Sequence, residues 1–180
     1  MGTGVRIAAA ALALLAGTWT MTGSTQADAL KVGDPAPDVA LALDDGTTFR
    51  LKDAKGPVVL YFYPKDDTPG CTREACAYRD RNAEVVATGA TVIGVSFDDA
   101  ASHKKFKEKH SLPFRLATDD GSIAKAFGVA MQEYGGANYH TRDTVVIGAD
   151  GKVLAIIRKA DPVKSVDQVL EALAKAKKKR

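Results

Sequence analysis

The chain has two cysteines, and both fall in the string Tyr61-Phe-Tyr-Pro-Lys-Asp-Asp-Thr-Pro-Gly-Cys-Thr-Arg-Glu-Ala-Cys76. Cys71 is the candidate nucleophile. An apolar run over residues 58–63 stops at Pro64, and a polar turn leads to Thr68-Pro69. Threonine favours the N-cap of a helix and proline its first turn. On that reading Cys71 lies in the first helical turn, where unpaired backbone N–H groups and the positive dipole end favour a thiolate. A thiolate can attack a peroxide oxygen, giving a sulfenic acid and releasing water or an alcohol. The helix-start position argues against an inert buried thiol. Two cysteines are too few for a disulfide framework, so redox chemistry is the better reading.

The elements that must position Cys71 can be taken in order. Residues 39–43 and 47–51 flank Asp44-Asp45-Gly46 and predict a small hairpin. Residues 58–63 are apolar on both faces, as a buried parallel strand would be. A helix is expected over residues 69–87, with Ala75, Tyr78, Val85 and Val86 turned to the core and Arg73 and Glu74 on exposed first turns. Strands follow at 91–97 and 114–118, with helices at 98–109 and 123–127. Residues 128–140, with Gly135-Gly136, read as a flexible loop. Strands at 142–147 and 153–158 surround Ala149-Asp-Gly151, a hairpin signal, and a helix over 165–178 carries Val166, Val169, Leu170 and Leu173 on one face. There is no internal repeat. The order implies one α/β domain: a mixed sheet with helices on both faces, and Cys71 at the carboxyl end of a central strand.

The pattern Pro64-x-x-x-Thr68-x-x-Cys71 resembles the active-site motif of peroxiredoxins, thiol peroxidases on a thioredoxin-like fold. Extended from Tyr61 to Cys76, the string looks like the peroxiredoxin Q (bacterioferritin comigratory protein) subfamily. The similarity runs from about Val32 to Val169 and includes Gly33-Asp-x-Ala-Pro37, Gly94-Val-Ser96 and Arg142. It implies a peroxidatic Cys71, a resolving Cys76 and an intramolecular disulfide between them. It further implies that the Thr68 hydroxyl helps to hold thiolate and peroxide, that Pro64 shields the sulfur, and that Arg142 stands beside Cys71. From the residues alone, Thr68 could simply cap the helix and Arg142 could be a surface arginine paired with Asp143. Arg158 and Arg115 are the alternatives to Arg142. The implied substrates are hydrogen peroxide and organic hydroperoxides. No metal, haem or flavin is needed, and reducing equivalents would come from a thioredoxin-like partner or a small thiol.

Composition bounds the rest. The net charge of +3 is carried by the end of the chain: Lys175, Lys177, Lys178, Lys179 and Arg180 leave residues 28–174 at about −3. A mildly acidic body argues against a nucleic-acid-binding domain, and the basic tail reads as a solvated helix end. His103, His110 and His140 have no metal-ligand spacing to the cysteines and are expected at the surface or in loops. Residues 1–27 read as a cleavable secretory signal, with Arg6 before a short apolar core over residues 7–16. Residues 28–180 would then form an exported, periplasmic domain in an oxidising compartment, with no membrane span. A monomer is expected, with a weak dimer as the alternative. The rival functions are a disulfide oxidoreductase, a class that usually carries C-x-x-C rather than the C-x4-C found here, and a non-catalytic binding module with structural cysteines.

Overall fold

A computed structural model of the chain describes Met1 and residues 29–178. The signal expected over residues 1–27 therefore lies, apart from Met1, outside the described residues.

β1 (Ala40–Leu43) and β2 (Thr48–Arg50) form the expected hairpin. β3 (Val58–Phe62) is buried at every position. It leads into α1 (Pro69–Asp80), α2 (Asn82–Ala87) and β4 (Thr91–Ser96), which pairs parallel with β3. α3 (Ala100–His110) then carries the chain to β5 (Arg115–Thr118), parallel to β4. After α4 (Ser122–Ala126) comes a separate hairpin of β6 (Met131–Tyr134) and β7 (Ala137–His140). β8 (Asp143–Ile147) returns antiparallel to β3, β9 (Val153–Ile157) pairs with β8, and α5 (Ser165–Lys178) closes the described chain. The seven-stranded sheet has the order β2-β1-β5-β4-β3-β8-β9.

The alternation of β3 splits the core in two. Val59, Tyr61 and Tyr63 pack with Ala75, Tyr78, Phe106, Val166, Val169 and Leu173, from α1, α3 and α5. Val58, Leu60 and Phe62 face the other way, against Leu41, Ile123, Ala124 and Phe127. Helices thus cover both faces of a mixed sheet, as the element order implied.

Three expectations need correction. The single helix over residues 69–87 is broken at Arg81, whose φ of −104° and ψ of 8° leave the helical region, and Val86, expected in the core, is exposed on α2. The loop over residues 128–140 is the β6–β7 hairpin. Gly135 and Gly136, at φ of 61° and 78°, supply the two positive-φ positions that a tight hairpin turn requires. β8 begins one residue inside its expected start and β9 ends one residue inside its expected end, which leaves Arg142 in the link between β7 and β8.

Gly94 has a packing reason. It sits opposite Tyr61 in the β3–β4 register, and a Cβ there would lie 2.6 Å from the Tyr61 ring and 2.8 Å from Leu116 Cδ2. The ring lies across that gap and stacks on Tyr63 and Tyr78 at centroid distances of 5.4 and 4.8 Å. Gly94→Ala should therefore destabilise the protein by about 1–3 kcal/mol through overpacking. The urea midpoint should fall at an unchanged slope. A variant as stable as the parent would show that the Tyr61 ring can move aside freely.

Candidate active site

α1 starts where the sequence indicates. Thr68 occupies the N-cap in an extended conformation and Pro69 opens the helix. The Thr68 hydroxyl, however, does not cap: it donates to Lys65 O at 3.1 Å, and no side chain caps the first turn. Pro64 lies two residues beyond the end of β3 and stands half-buried at the head of the connecting loop. Cys71 is third in the helix and 1% exposed. Cys76 is half-buried farther along the same helix, and both thiols are free.

Arg142 reaches Cys71 from the β7–β8 link. Its Nη2 donates to Cys71 Sγ at 3.3 Å, and its Nη1 donates to Glu74 Oε2. Gly70 leaves room for this approach, since a Cβ there would stand 3.2 Å from Nη2. The side chain of Arg142 is only 15% exposed. Burial works against its charge, but Glu74 and Cys71 outweigh burial and raise it above the usual arginine range. The alternative arginines are occupied elsewhere. Arg158 donates to Asp143 Oδ2 at 2.8 Å, which also removes Asp143 as a partner for Arg142. Arg115 lies over the Phe49 ring at 5.1 Å.

Glu74 was expected on an exposed turn and is instead fully buried. It stands one helical turn after Cys71 on the same side of α1, the spacing at which helical side chains meet a common partner. Burial pushes its carboxyl up to about 8 against the pull of Arg142. The i, i+3 spacing from Cys71 was the available signal, but an acidic residue near a helix start also reads naturally as a solvated one.

The histidines also need correction. His103 and His140 are buried, not superficial. Asp66, in the loop before α1, accepts from Tyr63 Oη at 2.6 Å and Ser102 Oγ at 2.8 Å, and lies 3.0 Å from His103 Nδ1. Its backbone N–H donates to Asp98 Oδ2 at 2.8 Å. The neighbouring Asp67 pairs with Lys109 and His110 at 2.6 and 2.9 Å. The loop carrying Pro64 and Thr68 is thus clamped to α3. His140 Nε2 lies 3.1 Å from Asp119 Oδ2, between the rings of Phe62 and Phe97, and ties the β6–β7 hairpin to the sheet.

A chain with a buried thiol at a helix start, beside a largely buried arginine, on a mixed sheet of this order was compared with known proteins. The AhpC/TSA family matches residues 32–156. The chain belongs to that family. Peroxiredoxin Bcp of Bacillus subtilis is 46% identical over 149 residues, 80% of this chain and 93% of the relative. Chloroplastic peroxiredoxin Q of Triticum aestivum is 41% identical over 175 residues, 94% of this chain and 80% of the relative. The crystal structure of peroxidoxin BcpB from Mycobacterium tuberculosis superposes with a TM-score of 0.75 at 36% identity, covering 81% of this chain and 97% of that one. A bacterioferritin comigratory protein of Xanthomonas campestris, described for alkyl peroxide reduction, superposes at 0.72 and 32% identity, covering 82% and 97%. The fold is the thioredoxin-like fold of peroxiredoxins, and this peroxiredoxin is a thiol peroxidase of antioxidant function. No helix among the described residues is long and apolar enough to cross a membrane.

The buried carboxyl gives this peroxiredoxin a pH-dependent stability. Glu74 is raised from 4.5 to about 8 in the fold. Its contribution is therefore complete below the unfolded value and is lost as pH rises through the folded one. Glu74→Gln cannot ionise. The stability of this variant relative to the parent should grow by more than about 1 kcal/mol between pH 5 and pH 8, since each pH unit of mismatch is worth about 1.4 kcal/mol. Urea unfolding of both reduced proteins at the two pH values measures the difference. An unchanged difference would show that folding does not perturb this carboxyl.

Proposed function

We propose that Cys71 is the peroxidatic cysteine and Cys76 its resolving partner in a cycle confined to one chain. The observation that carries this reading is the Arg142 Nη2 contact with Cys71 Sγ at 3.3 Å, at the start of α1. A fixed guanidinium supplies planar donors to a thiolate, and the same donors can polarise the O–O bond of hydrogen peroxide or an organic hydroperoxide. The thiolate attacks the terminal peroxide oxygen, the O–O bond breaks, and the leaving oxygen departs as water or an alcohol. Thr68 and Pro64 border the site at the loop and helix junction, where Thr68 helps to hold the peroxide and Pro64 limits water.

Resolution requires movement. Five residues along an α-helix place the two Cα atoms about 8.7 Å apart, beyond the roughly 7 Å that a disulfide spans. α1 runs unbroken over both cysteines, so its first turns must unwind before Cys76 can attack the sulfenic sulfur and expel water. The absence of a side-chain cap makes that end the easier one to open. A thioredoxin-like dithiol or a small thiol then reduces the disulfide. An intrachain bond needs no dimer, and a monomer suffices for the cycle. Residues 1–27, with Arg6 before an apolar stretch, support a reading of the protein as exported to the periplasm.

Two measurements test the assignment. Arg142→Met should slow peroxide reduction by roughly 10²–10³, the worth of one well-placed electrostatic donor, while the variant remains folded. Parental rates in a folded variant would remove Arg142 from the role. Cys76→Ser should consume one equivalent of peroxide and then stall under thioredoxin-driven turnover, and peptide mapping of the parent should find a Cys71–Cys76 bond within one chain. Sustained turnover by Cys76→Ser, or a Cys71–Cys71 bond between chains, would overturn the intrachain cycle.

A further inference from the structure

The cycle above leaves Glu74 idle, although its carboxylate shares the Arg142 guanidinium with the reacting sulfur. The site holds one cation and two acids, and the two acids are almost wholly out of water. Ionising both acids would strand an uncompensated negative charge in a dry site, and ionising neither would strand the charge of Arg142. The surrounding groups do not relieve this. Tyr61 on β3 and Tyr78 on α1 are buried, and burial pushes both hydroxyls up, so they stay neutral. Asp161, after β9, adds negative potential at Glu74. Oε1 of Glu74 has no hydrogen-bond donor, which leaves Arg142 as the support for the ionised form.

We infer that Cys71 and Glu74 share a single proton across Arg142, so that in the closed site Glu74 is protonated whenever Cys71 is a thiolate. The inference rests on the reading of Cys71 as the attacking thiolate. It gives Glu74 a stoichiometric task. A Cys71 thiolate, a Cys76 thiol, hydrogen peroxide and one proton give the disulfide and two waters. Sulfur is oxidised, both peroxide oxygens are reduced, and the proton completes the second water. Glu74 provides that proton, because the disulfide-bonded site holds no thiolate and its unwound helix returns the carboxyl to water, where it ionises at pH 7.

The test is a proton count. Reduced full-length protein is mixed with one equivalent of hydrogen peroxide at pH 7 in weak buffer with a pH indicator. Disulfide is counted in parallel, and the infrared difference spectrum is recorded. The parent should exchange close to zero protons per disulfide, and Glu74→Gln should take up close to one. Oxidation of the parent should also bleach a protonated carboxyl C=O band that Glu74→Gln lacks. Equal counts in the two proteins, or no such band in the parent, would overturn the inference. If Glu74→Gln does not fold, the band in the parent decides. Alkylation of Cys71 by iodoacetamide at pH 7, in a Cys76→Ser background, needs no peroxide. It converts the thiolate to a neutral thioether and expels iodide, so it should release close to one proton in the parent and none in Glu74→Gln. Equal release in the two proteins would overturn proton sharing even in an active peroxidase. A one-proton difference in a protein that does not reduce peroxide would support the sharing and overturn the peroxidatic role.

Discussion

The guanidinium of Arg142 is the contact on which the site depends, and the sheet decides where it goes. β8 lies antiparallel to β3 with Asp143 opposite Phe62. Arg142 therefore emerges at the carboxyl end of β3, where the chain turns into α1. Side chains alternate along a strand, so a slip of one residue in this pairing would exchange Arg142 and Asp143 between the faces of the sheet. Asp143 is held on its own side by Arg158 and by the Lys159 N–H. The Arg142 carbonyl accepts from Ala160 N at 2.6 Å, which fixes the backbone at the same point. Two successive residues of opposite charge thus serve two different places without pairing with each other.

The surroundings of Cys71 are unequally held. Asp66 and Asp67 clamp the loop before α1 to α3 through Ser102, His103, Lys109 and His110. Tyr78 and Ala75 root the later turns of α1 in the core. Between them, the first turn lacks a side-chain cap and contains Gly70, whose backbone loses the most freedom when it becomes helical. That first turn is bounded on both sides by buried contacts, so the opening proposed above need not loosen the sheet.

What the sequence made legible follows from range. The strand before Pro64, the Thr68-Pro69 helix start, the cysteine spacing and the order of elements are local signals, and the structure carries them. The partner of Cys71 is not local: Arg142 could be named only through the family resemblance, because no pattern near Cys71 points 71 residues onward. The buried polar groups were missed for a related reason. His103 repeats nothing in its lysine-rich helix that would mark it as interior, and Asp66 looks like any acidic turn residue until Tyr63, Ser102 and His103 converge on it. The break at Arg81 and the β6–β7 hairpin escape the sequence for different reasons. Helical periodicity continues across Arg81, whereas a Gly-Gly pair marks a flexible loop as readily as the tight turn that Gly135 and Gly136 make.

Glu74 shows why a buried ionisable group beside Cys71 need not be explained by stability. Replacing a buried ion pair with neutral groups of similar shape is often neutral or stabilising, and a glutamine could accept from Arg142 as glutamate does. A carboxyl at this position raises the free energy of the closed helix as pH climbs toward the value of about 8 at which it ionises there. The unwound helix, with the carboxyl returned to water, has no such penalty. On the proposed cycle, the same group opposes a second charge beside a Cys71 thiolate while the site is closed and favours opening once that thiolate is gone. That cycle would join chemistry at sulfur to the conformational step that follows it through one side chain, with Arg142 as the link between them.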